Sequence, residues 1–226
     1  MAQHDVTRRG LALLAAGFAA PAFAQGAARA PTRGMRIVVP FPPGGSTDLL
    51  ARRLADHLTT ALGQTVIVEN RPGAGGTVGA DLVAKSAPDG YTLLMGVTGS
   101  NAIAGSLFRN LSYDPVRSFA PVSRVVSAPL VLVVNAANPA RDMAGYIAAA
   151  KAAPGSIGYA TPGNGTSMHL TGVMFDQASG TQLQHVPYRG SAQAITDLIS
   201  GQVTSAFADV LGRCRISAAA GSAPWR

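Results

Sequence analysis

The residues best placed for chemistry form a loop of sequence PFPPGGSTD, from Pro40 to Asp48. The adjacent prolines stiffen the chain, and Gly44-Gly45 permits close approach to the backbone because glycine has no Cβ. Ser46 has the residue type of a helix N-cap, whose hydroxyl accepts a hydrogen bond from an amide one turn on. Backbone amides at the positive end of a helix dipole suit a carboxylate or a phosphate. The composition therefore indicates an anion-binding loop.

The segments on either side place this loop between a strand and a helix. Met35–Val39 is a short apolar run of the kind that forms a buried strand. After the loop, leucines recur at helical spacing, at Leu49, Leu50, Leu54, Leu58 and Leu62. The loop contains no lysine, so it is not a nucleotide-binding P-loop. The sequence thus predicts a strand-to-helix turn that presents amides to an anion, with an ordinary turn as the alternative.

The alternation of strands and helices continues to residue 101. Gly63 is placed to end the first helix, and strands are predicted at 65–69 and 91–95, on either side of a helix from Thr77 to Lys85. A βαβαβ order predicts a parallel sheet with helices on its faces. Residues 96–101 are small and follow the third strand. We expect a turn there, at the sheet edge where ligands bind in open α/β proteins.

A second α/β unit follows residue 135 and repeats the first. Residues 119–135 are largely apolar, which indicates an extended segment that crosses between two lobes. The later turn at 161–167 again combines proline, glycine and hydroxyl residues. Two such turns, one per lobe, would face each other across a cleft suited to a small anion. The predicted elements of this half are a helix at 143–152, strands at 157–160, 183–186 and 203–208, and helices from Met168 and at 192–199.

Few side chains in this sequence are arranged for catalysis. Motifs for a serine nucleophile elbow, a zinc protease and a redox dithiol are missing. His169 follows the second glycine-rich turn and is either a hydrogen-bonded structural residue or a general base, and His185 is expected to pack beside a strand. Arg189 is the one cation in a turn that faces the cleft, where it either holds a carboxylate or stays solvated. Asp48 would repel a carboxylate, so we expect it to point aside, to bind water or to meet a ligand amine.

The segment Gly73–Gly79 resembles a dinucleotide-binding fingerprint. That pattern needs a glycine where Val78 stands, and the segment does not follow the first strand directly. Tight packing of a turn is the simpler interpretation. A nucleotide-binding α/β enzyme that uses this turn is kept as the alternative function.

Composition and the N-terminus indicate an exported protein that does not bind nucleic acid. The chain has 226 residues, 47% of them hydrophobic, and its formal charge of +7 is not gathered into basic stripes. A single cysteine, Cys214, excludes an internal disulfide. Residues 1–24 have the charged, apolar and A-x-A regions of a signal peptide, for export by the Sec route or, given Arg8-Arg9, the twin-arginine route. We expect a periplasmic protein that does not insert into the membrane.

A series of motifs resembles the Bug-type receptors of tripartite tricarboxylate transporters. The motifs are Val39–Asp48, Val68–Gly76, Pro88–Leu93 and His185–Gly190, in this order. The resemblance implies a two-lobed α/β fold of the periplasmic-binding-protein, or Venus flytrap, kind. It also implies a receptor rather than an enzyme, which captures a small carboxylate and passes it to the membrane subunits of the transporter. We expect neither a cofactor nor a metal.

The resemblance also assigns candidate ligand-binding residues, because this family holds carboxylate oxygens largely through main-chain amides and ordered water. In the first lobe the matching positions are Phe41, Pro43, Gly44, Gly45, Ser46, Thr47 and Asp48, flanked by Thr98, Gly99, Ser100 and Asn101. In the second lobe they are Thr161, Gly163, Gly165, Thr166, Ser167, His169, Arg189, Ser191 and Asp209.

The resemblance ends near Asp209. Family members continue with a part that completes the first lobe, whereas the last sixteen residues here match no family pattern and hold the only cysteine and the only tryptophan. A frameshift or an early stop would explain this, so we expect a truncated receptor or its non-functional remnant. The expected organisation is a signal peptide at 1–24, an incomplete first lobe at 25–128, a second lobe at 129–210 and a disordered tail at 211–226.

Overall fold

The computed structural model describes residues 30–211. The predicted signal peptide lies outside this range, and so do residues 212–226 of the tail predicted at 211–226. The described strands form two sheets, one within residues 35–94 and the other within residues 130–209. None of the described helices is both long and apolar enough to cross a bilayer.

The first sheet is parallel, which confirms the prediction from the alternation of strands and helices. Its strands lie in the order β2-β1-β3 and are β1 (Met35–Val39), β2 (Val66–Asn70) and β3 (Thr92–Leu94). Both β2 and β3 pair with β1 in parallel register. The carboxyl ends of all three strands therefore lie at one edge, and the connecting loops at 40–45, 71–76 and 95–98 begin there.

The helix after β1 packs small and leucine side chains on this sheet. Helix α1 spans Ser46–Leu62 and ends at Gly63, whose φ of 65° gives the left-handed cap that glycine favours. Ala51 and Ala55 are buried, so the helix backbone approaches the strands closely. The same core contains Ile37, Val39, Leu50, Leu54 and Leu58. This packing places the N-terminus of α1 at the edge where the strands end.

The region after β2 contains the predicted helix and, after β3, helical structure that was not predicted. A single 3-10 turn at Ala74–Gly76 leads into α2 (Thr77–Ala84), as expected for a helix in this place. The sequence predicts only a turn after β3, but a wide helical turn at Gly99–Ile103 runs into α3 (Ala104–Leu107). The Tyr113 hydroxyl donates to a carbonyl inside that turn, and local composition does not reveal such a distant contact. We call residues 35–107 the first lobe.

The second sheet is mixed. Its order is β4-β7-β5-β6, in which β4 is antiparallel to β7 and the other pairings are parallel. The strands are β4 (Leu130–Val134), β5 (Gly158–Thr161), β6 (Gln184–Pro187) and β7 (Ser205–Asp209). The helices are α4 (Met143–Ala152), α5 (Ser167–Ser179) and α6 (Ser191–Ser200). Every predicted element of this half is present, with bounds that differ by at most two residues. We call residues 130–209 the second lobe.

Small residues allow close packing in the second lobe. Ala160, Ala194 and Ala206 belong to its buried core. In α5, Gly172 faces Tyr159 of β5, and a Cβ on this glycine would overlap the tyrosine ring. The helices can therefore lie directly on the sheet, which fixes where their N-termini begin.

The segment between the lobes contains no helix or strand before β4. Residues 119–129 form no strand, and β4 begins only at Leu130. Val122 is 85% exposed, so its apolar side chain does not enter a core. A run of β-forming residues becomes a strand only where a neighbour accepts its backbone hydrogen bonds. Within the described residues, that neighbour is β7, which pairs from Leu130 onward. The predicted lobe boundary after residue 128 stays a prediction.

Candidate functional site

The strand ends of the two lobes lie against each other. The hydroxyl of Ser46, at the start of α1, donates a hydrogen bond of 2.6 Å to Oδ2 of Asp209, at the end of β7. A Cβ built on Gly190 would lie only 2.9 Å from Cδ of Pro42 in the other lobe. The loops predicted to form the two halves of an anion site are therefore in direct contact.

Two glycines of the first lobe permit a second region of contact. A Cβ on Gly75 would overlap the carbonyl oxygen of Asn164, and a Cβ on Gly99 would lie 3.0 Å from the carbonyl oxygen of Gly165. A larger residue at Gly75 would hold the lobes apart. Close packing against the second lobe thus explains why Gly75, in the segment Gly73–Gly79, is a glycine, which agrees with the interpretation of that segment as a tightly packed turn.

The carboxylate of Asp48 is buried and is surrounded by hydrogen-bond donors. Oδ2 accepts from the Gly44 amide at 2.9 Å and from Nε of Arg52 at 3.0 Å, while Oδ1 accepts from Nη2 of Arg52 and from Nδ2 of Asn70. Burial by itself raises the pKa of Asp48, but the hydrogen bonds from these donors outweigh it and hold the pKa below its usual value. Asp48 therefore points aside and stays ionised, one of the outcomes expected from the sequence.

The network around Asp48 determines the shape of the first loop. The Gly44 amide is directed at Asp48, and Nδ2 of Asn70 also donates to the Phe41 carbonyl oxygen at 3.0 Å. The loop is thereby tied to the end of β2. The sequence analysis did not predict that Asn70 and Arg52 hold this loop in place. Two features of the sequence could have indicated it: Asp48 and Arg52 are four residues apart along α1, and Asn70 stands at the end of a strand.

The prediction that Ser46 caps α1 is wrong. The N-cap is Gly45, which has extended dihedral angles of −79° and 171° and makes no side-chain cap. Ser46 is instead the first helical residue, so its hydroxyl leaves the helix end and reaches Asp209. A glycine can take the N-cap position at little cost. The serine is then available for a contact between lobes.

The polar residues after β3 mainly satisfy one another. Ser100 is fully buried, and its hydroxyl donates to Oδ1 of Asn101 at 2.7 Å. The Tyr113 hydroxyl donates to the Ser100 carbonyl oxygen, also at 2.7 Å. Thr98 is exposed. In this part of the candidate site, Gly99 lies against the second lobe.

The second glycine-rich loop ends in a hydroxyl residue that caps α5. Thr166 is the N-cap of α5: its Oγ1 accepts from the His169 amide and donates to the Gly163 carbonyl oxygen at 2.7 Å. Gly163 and Gly165 have φ values of 132° and 76°, which side chains with a Cβ rarely adopt. The loop 161–167 consequently has a defined shape that depends on its glycines.

Two stacked histidines contact this second loop and support it. The rings of His169 and His185 lie 4.1 Å apart between centroids, with an interplanar angle of 22°. Nδ1 of His169 accepts from the Gly165 amide at 3.2 Å, and Nε2 of His185 lies 2.6 Å from Oγ1 of Thr161. Burial lowers the pKa of His169, and burial together with the neighbouring His169 lowers the pKa of His185 to about 4. Both contacts are those of neutral structural histidines.

Of two further predicted site residues, Arg189 makes no hydrogen bond to the loops and Ser191 lies beside the other lobe. Arg189 is exposed, and no hydrogen bond or ion pair joins it to any residue between 30 and 211. Ser191 begins α6 and lies beside the other lobe, since a Cβ on Gly45 would be 3.7 Å from its Cβ. A cavity of about 20 Å³ lies next to Ser191 and Asp209, and its other walls include Thr161, Pro162 and Met168.

The structure thus brings together most of the predicted positions. Phe41 packs against the first core, Thr47 and Ser167 occupy the first turns of α1 and α5, and Pro43 is exposed. Three helix N-termini, those of α1, α5 and α6, meet at the contact between the lobes. Their amides and hydroxyls form a surface suited to a small anion.

Comparison with known proteins identifies the family. Residues 50–219 match the family described as "Tripartite tricarboxylate transporter family receptor". Protein BugT of Bordetella pertussis (strain Tohama I) is 42% identical over 197 residues, which are 87% of this chain and 60% of BugT. The chain therefore spans about 60% of the length of this relative.

Solved structures show the same fold. The periplasmic binding protein BugD superposes with a TM-score of 0.79 at 36% identity, and R. palustris Rpa4515, solved with adipate, with a TM-score of 0.81 at 34% identity. Each comparison covers 84% of this chain and 63% of the other. The chain belongs to the receptor family of the tripartite tricarboxylate transporters and has the two-lobed α/β fold of periplasmic binding proteins.

Proposed function

We propose that this protein is a receptor that captures a small carboxylate between its two lobes. The observation that carries the proposal is the hydrogen bond from Ser46 to the carboxylate of Asp209. It places a carboxylate at the N-terminus of α1, where the helix dipole and the hydroxyl favour one. A ligand carboxylate would use the same chemistry. The candidate residues assigned from the family, in the loops of both lobes, are the proposed ligand contacts, except that Asp48 and His169 support the loops instead.

Affinity in such a site comes from several hydrogen bonds rather than from one cation. Charge-assisted hydrogen bonds contribute roughly 1.5–3 kcal/mol each, so four or five of them offset the cost of ordering the ligand. A micromolar site, about −8 kcal/mol, is the expected result. The exposed side chain of Arg189 agrees with this, since the structure does not hold it against the loops.

We also propose that the protein is exported and acts with membrane subunits rather than as an enzyme. The predicted signal peptide and the description of BugD as a periplasmic binding protein support export. The family description supports a transporter as the partner. The alternative function, a nucleotide-binding enzyme, depended on the glycines of the segment Gly73–Gly79. Packing explains two of these glycines, because Gly75 lies against the backbone of Asn164, and Gly79 lies against the backbone of Pro40 and Arg71.

Export is tested by the N-terminus of the mature protein. Mass spectrometry of the periplasmic fraction should find a chain that begins at Gln25. Recovery of the intact N-terminus from the cytoplasm alone would contradict the proposal.

Binding is tested by isothermal titration calorimetry with small mono-, di- and tricarboxylates, with ATP and NAD as probes for the alternative. We expect micromolar binding of a carboxylate and no binding of the nucleotides. The variant Gly44→Val should abolish binding, because it alters a loop glycine with φ of 86°. Gly90→Val is the matched control: φ is 81° and nothing lies within 4 Å of its Cβ position. Nucleotide binding without carboxylate binding would reverse the assignment.

A further inference from the structure

We propose that His169 is a positioning residue through which pH controls retention of the carboxylate. With a neutral ring, it holds the second loop in the shape that contacts the first lobe. With a protonated ring, it gives up that hold, and the cleft opens and releases its ligand. The inference rests on the proposed function, because it concerns closure of the same site.

The first step concerns the peptide unit between Asn164 and Gly165. Its N–H group belongs to buried Gly165 and donates to Nδ1 of His169 at 3.2 Å. Its carbonyl oxygen lies against Gly75 of the first lobe, where a Cβ would overlap it. The N–H and C=O groups of a planar trans peptide point in opposite directions, so His169 on one side fixes the direction of the carbonyl on the other. A single peptide unit therefore links His169 to the contact between the lobes.

The second step concerns the proton of the imidazole ring. An imidazole nitrogen accepts a hydrogen bond only while it carries no proton, so the contact with Gly165 assigns the proton of the neutral ring to Nε2. A second proton on His169 is added at Nδ1, which then directs a donor at the Gly165 N–H group. Because a buried amide that loses its acceptor is costly, the peptide unit turns away from the ring. The carbonyl of Asn164 then leaves its place against Gly75.

The third step is that the surroundings of the ring favour its neutral form. Burial lowers the pKa of His169, and none of the acidic groups within residues 30–211 raises it. Burial and then the charge of His169 lower the pKa of the stacked His185 to about 4. Since the charge on His169 is present when His185 titrates, His169 takes the first proton of the pair.

The groups packed around the pair supply no countercharge. The ring centroid of Tyr159, on β5, lies 5.1 Å from that of His185, and burial raises the pKa of Tyr159 to about 12, so this ring stays neutral. The carboxylate of Asp176, farther along α5, accepts hydrogen bonds from the chain that follows this helix. On the side of the first lobe, the loop meets the apolar side chains of Leu107 and Phe108.

The sign of the pH dependence follows from these contacts. In the open cleft His169 reaches water, and its pKa returns towards the usual value near 6.5. The closed form then binds fewer protons than the open form, so it is favoured above that value and becomes less stable as the pH falls below it. Retention of the carboxylate should weaken in the same interval, even for an acid that stays ionised.

Isothermal titration calorimetry with succinate, malate and citrate at pH 7.5 and 5.0 tests the inference. For an acid that binds, the affinity of the unmodified protein should fall about tenfold more than that of His169→Asn, since one proton is taken up below about pH 6.5. The asparagine Oδ1 can accept from the Gly165 amide in place of Nδ1 but does not titrate, so this variant should bind within about threefold of the unmodified protein at pH 7.5. Protonation of the acid itself affects both proteins equally. His57→Asn, which removes an exposed histidine on α1, should keep the full pH dependence.

The distance between the lobes gives a second readout, which does not depend on the choice of acid. Spin labels at Asp56→Cys on α1 and Lys151→Cys on α4, in a chain with Cys214→Ser, report this distance by pulsed electron paramagnetic resonance. Between pH 7.5 and 5.0 the distance should increase in the chain with His169 and stay unchanged in His169→Asn. Circular dichroism at both pH values verifies that the protein stays folded.

Two results would overturn the inference while leaving the proposed function in place. One is an unchanged distance between the lobes in the chain with His169, and the other is an equal pH dependence of affinity in the unmodified protein and His169→Asn. Failure to bind any acid of the wider carboxylate panel at pH 7.5 would overturn both.

Discussion

The imidazole of His185 is held between Oγ1 of Thr161, at 2.6 Å from Nε2, and the stacked ring of His169. Thr161 is fully buried and starts the loop that forms the second half of the candidate site. The Gly165 amide of that loop donates to Nδ1 of His169. A pair of neutral histidines thus supports the loop at both of its ends, although neither needs to touch a ligand.

The first prediction follows from the lowered pKa values of this pair. A histidine with a lower pKa in the folded state binds fewer protons than in the unfolded chain, so stability rises with pH across the interval between the two values. For His185 the interval runs from about 4 to the usual value near 6.5. Urea unfolding should therefore show full stability above pH 6.5 and a progressive loss towards pH 4.

The control for this prediction is His185→Gln, which keeps a polar partner for Thr161 but does not titrate. Its unfolding midpoint should vary less between pH 6.5 and 4 than that of the unmodified protein. The carboxyl of Asp48, with its lowered pKa, loses its contribution only below the usual value near 3.8, so it does not explain a loss in this interval. Equal pH dependence in both proteins would show that the histidine pair does not titrate as described.

The second prediction concerns the Asp48 network. Asp48→Asn should destabilise the protein by about 1–3 kcal/mol, since the new amide group directs its hydrogens at groups that are themselves donors, namely the Gly44 amide or Asn70. Urea unfolding at pH 7.5 measures the change. Asp56→Asn on the exposed side of α1 should alter stability by less than about 0.5 kcal/mol. A similar loss of stability in Asp48→Asn and Asp56→Asn would mean that the negative charge on α1 stabilises the protein and that the hydrogen bonds to Asp48 do not.

The third prediction separates closure of the lobes from backbone strain. Gly75→Ala and Gly63→Ala change two glycines that share a φ of 65°, so both variants carry the same left-handed penalty. Only at Gly75 does the new Cβ overlap an atom of the other lobe, the carbonyl oxygen of Asn164; at Gly63 nothing lies within 4 Å. Carboxylate binding measured by calorimetry should weaken about tenfold or more in Gly75→Ala. Equal affinity of the two variants would show that the lobes bind without this contact.

The fourth prediction concerns packing in the second lobe. Gly172→Ala should destabilise the protein by about 1–3 kcal/mol, because the added methyl overlaps the Tyr159 ring, and this outweighs the helix propensity gained. Gly105→Ala, also within a helix, places its Cβ 3.4 Å from Pro115, an ordinary contact distance. It should be neutral or stabilising in urea unfolding. A stabilised Gly172→Ala variant would show that α5 can shift without cost.

Local patterns were sufficient to predict most of the secondary structure of both lobes, although not the helical turn at Gly99–Ile103 or α3. Ile37, Val38 and Val39 are apolar because both faces of the strand are covered there, and the leucines of α1 repeat because one face of the helix meets the sheet. Thr166 caps α5 as its residue type indicates. The apolar residues at 119–129 form no strand, since a strand needs a neighbour to pair with, and sequence alone does not say where one is present.

The sequence by itself determined where the glycine-rich loops lie and that they precede helices, because strand and helix periodicity and turn composition are local properties. Only the tertiary structure decided what the polar groups of the first loop do. Ser46 became a contact between lobes, and Asp48 became the centre of a network with Arg52 and Asn70. Such partners can be far apart in the chain, as Ser46 and Asp209 are with a sequence separation of 163. Their pairing depends on how the sheets bring the strand ends together, which no local pattern encodes.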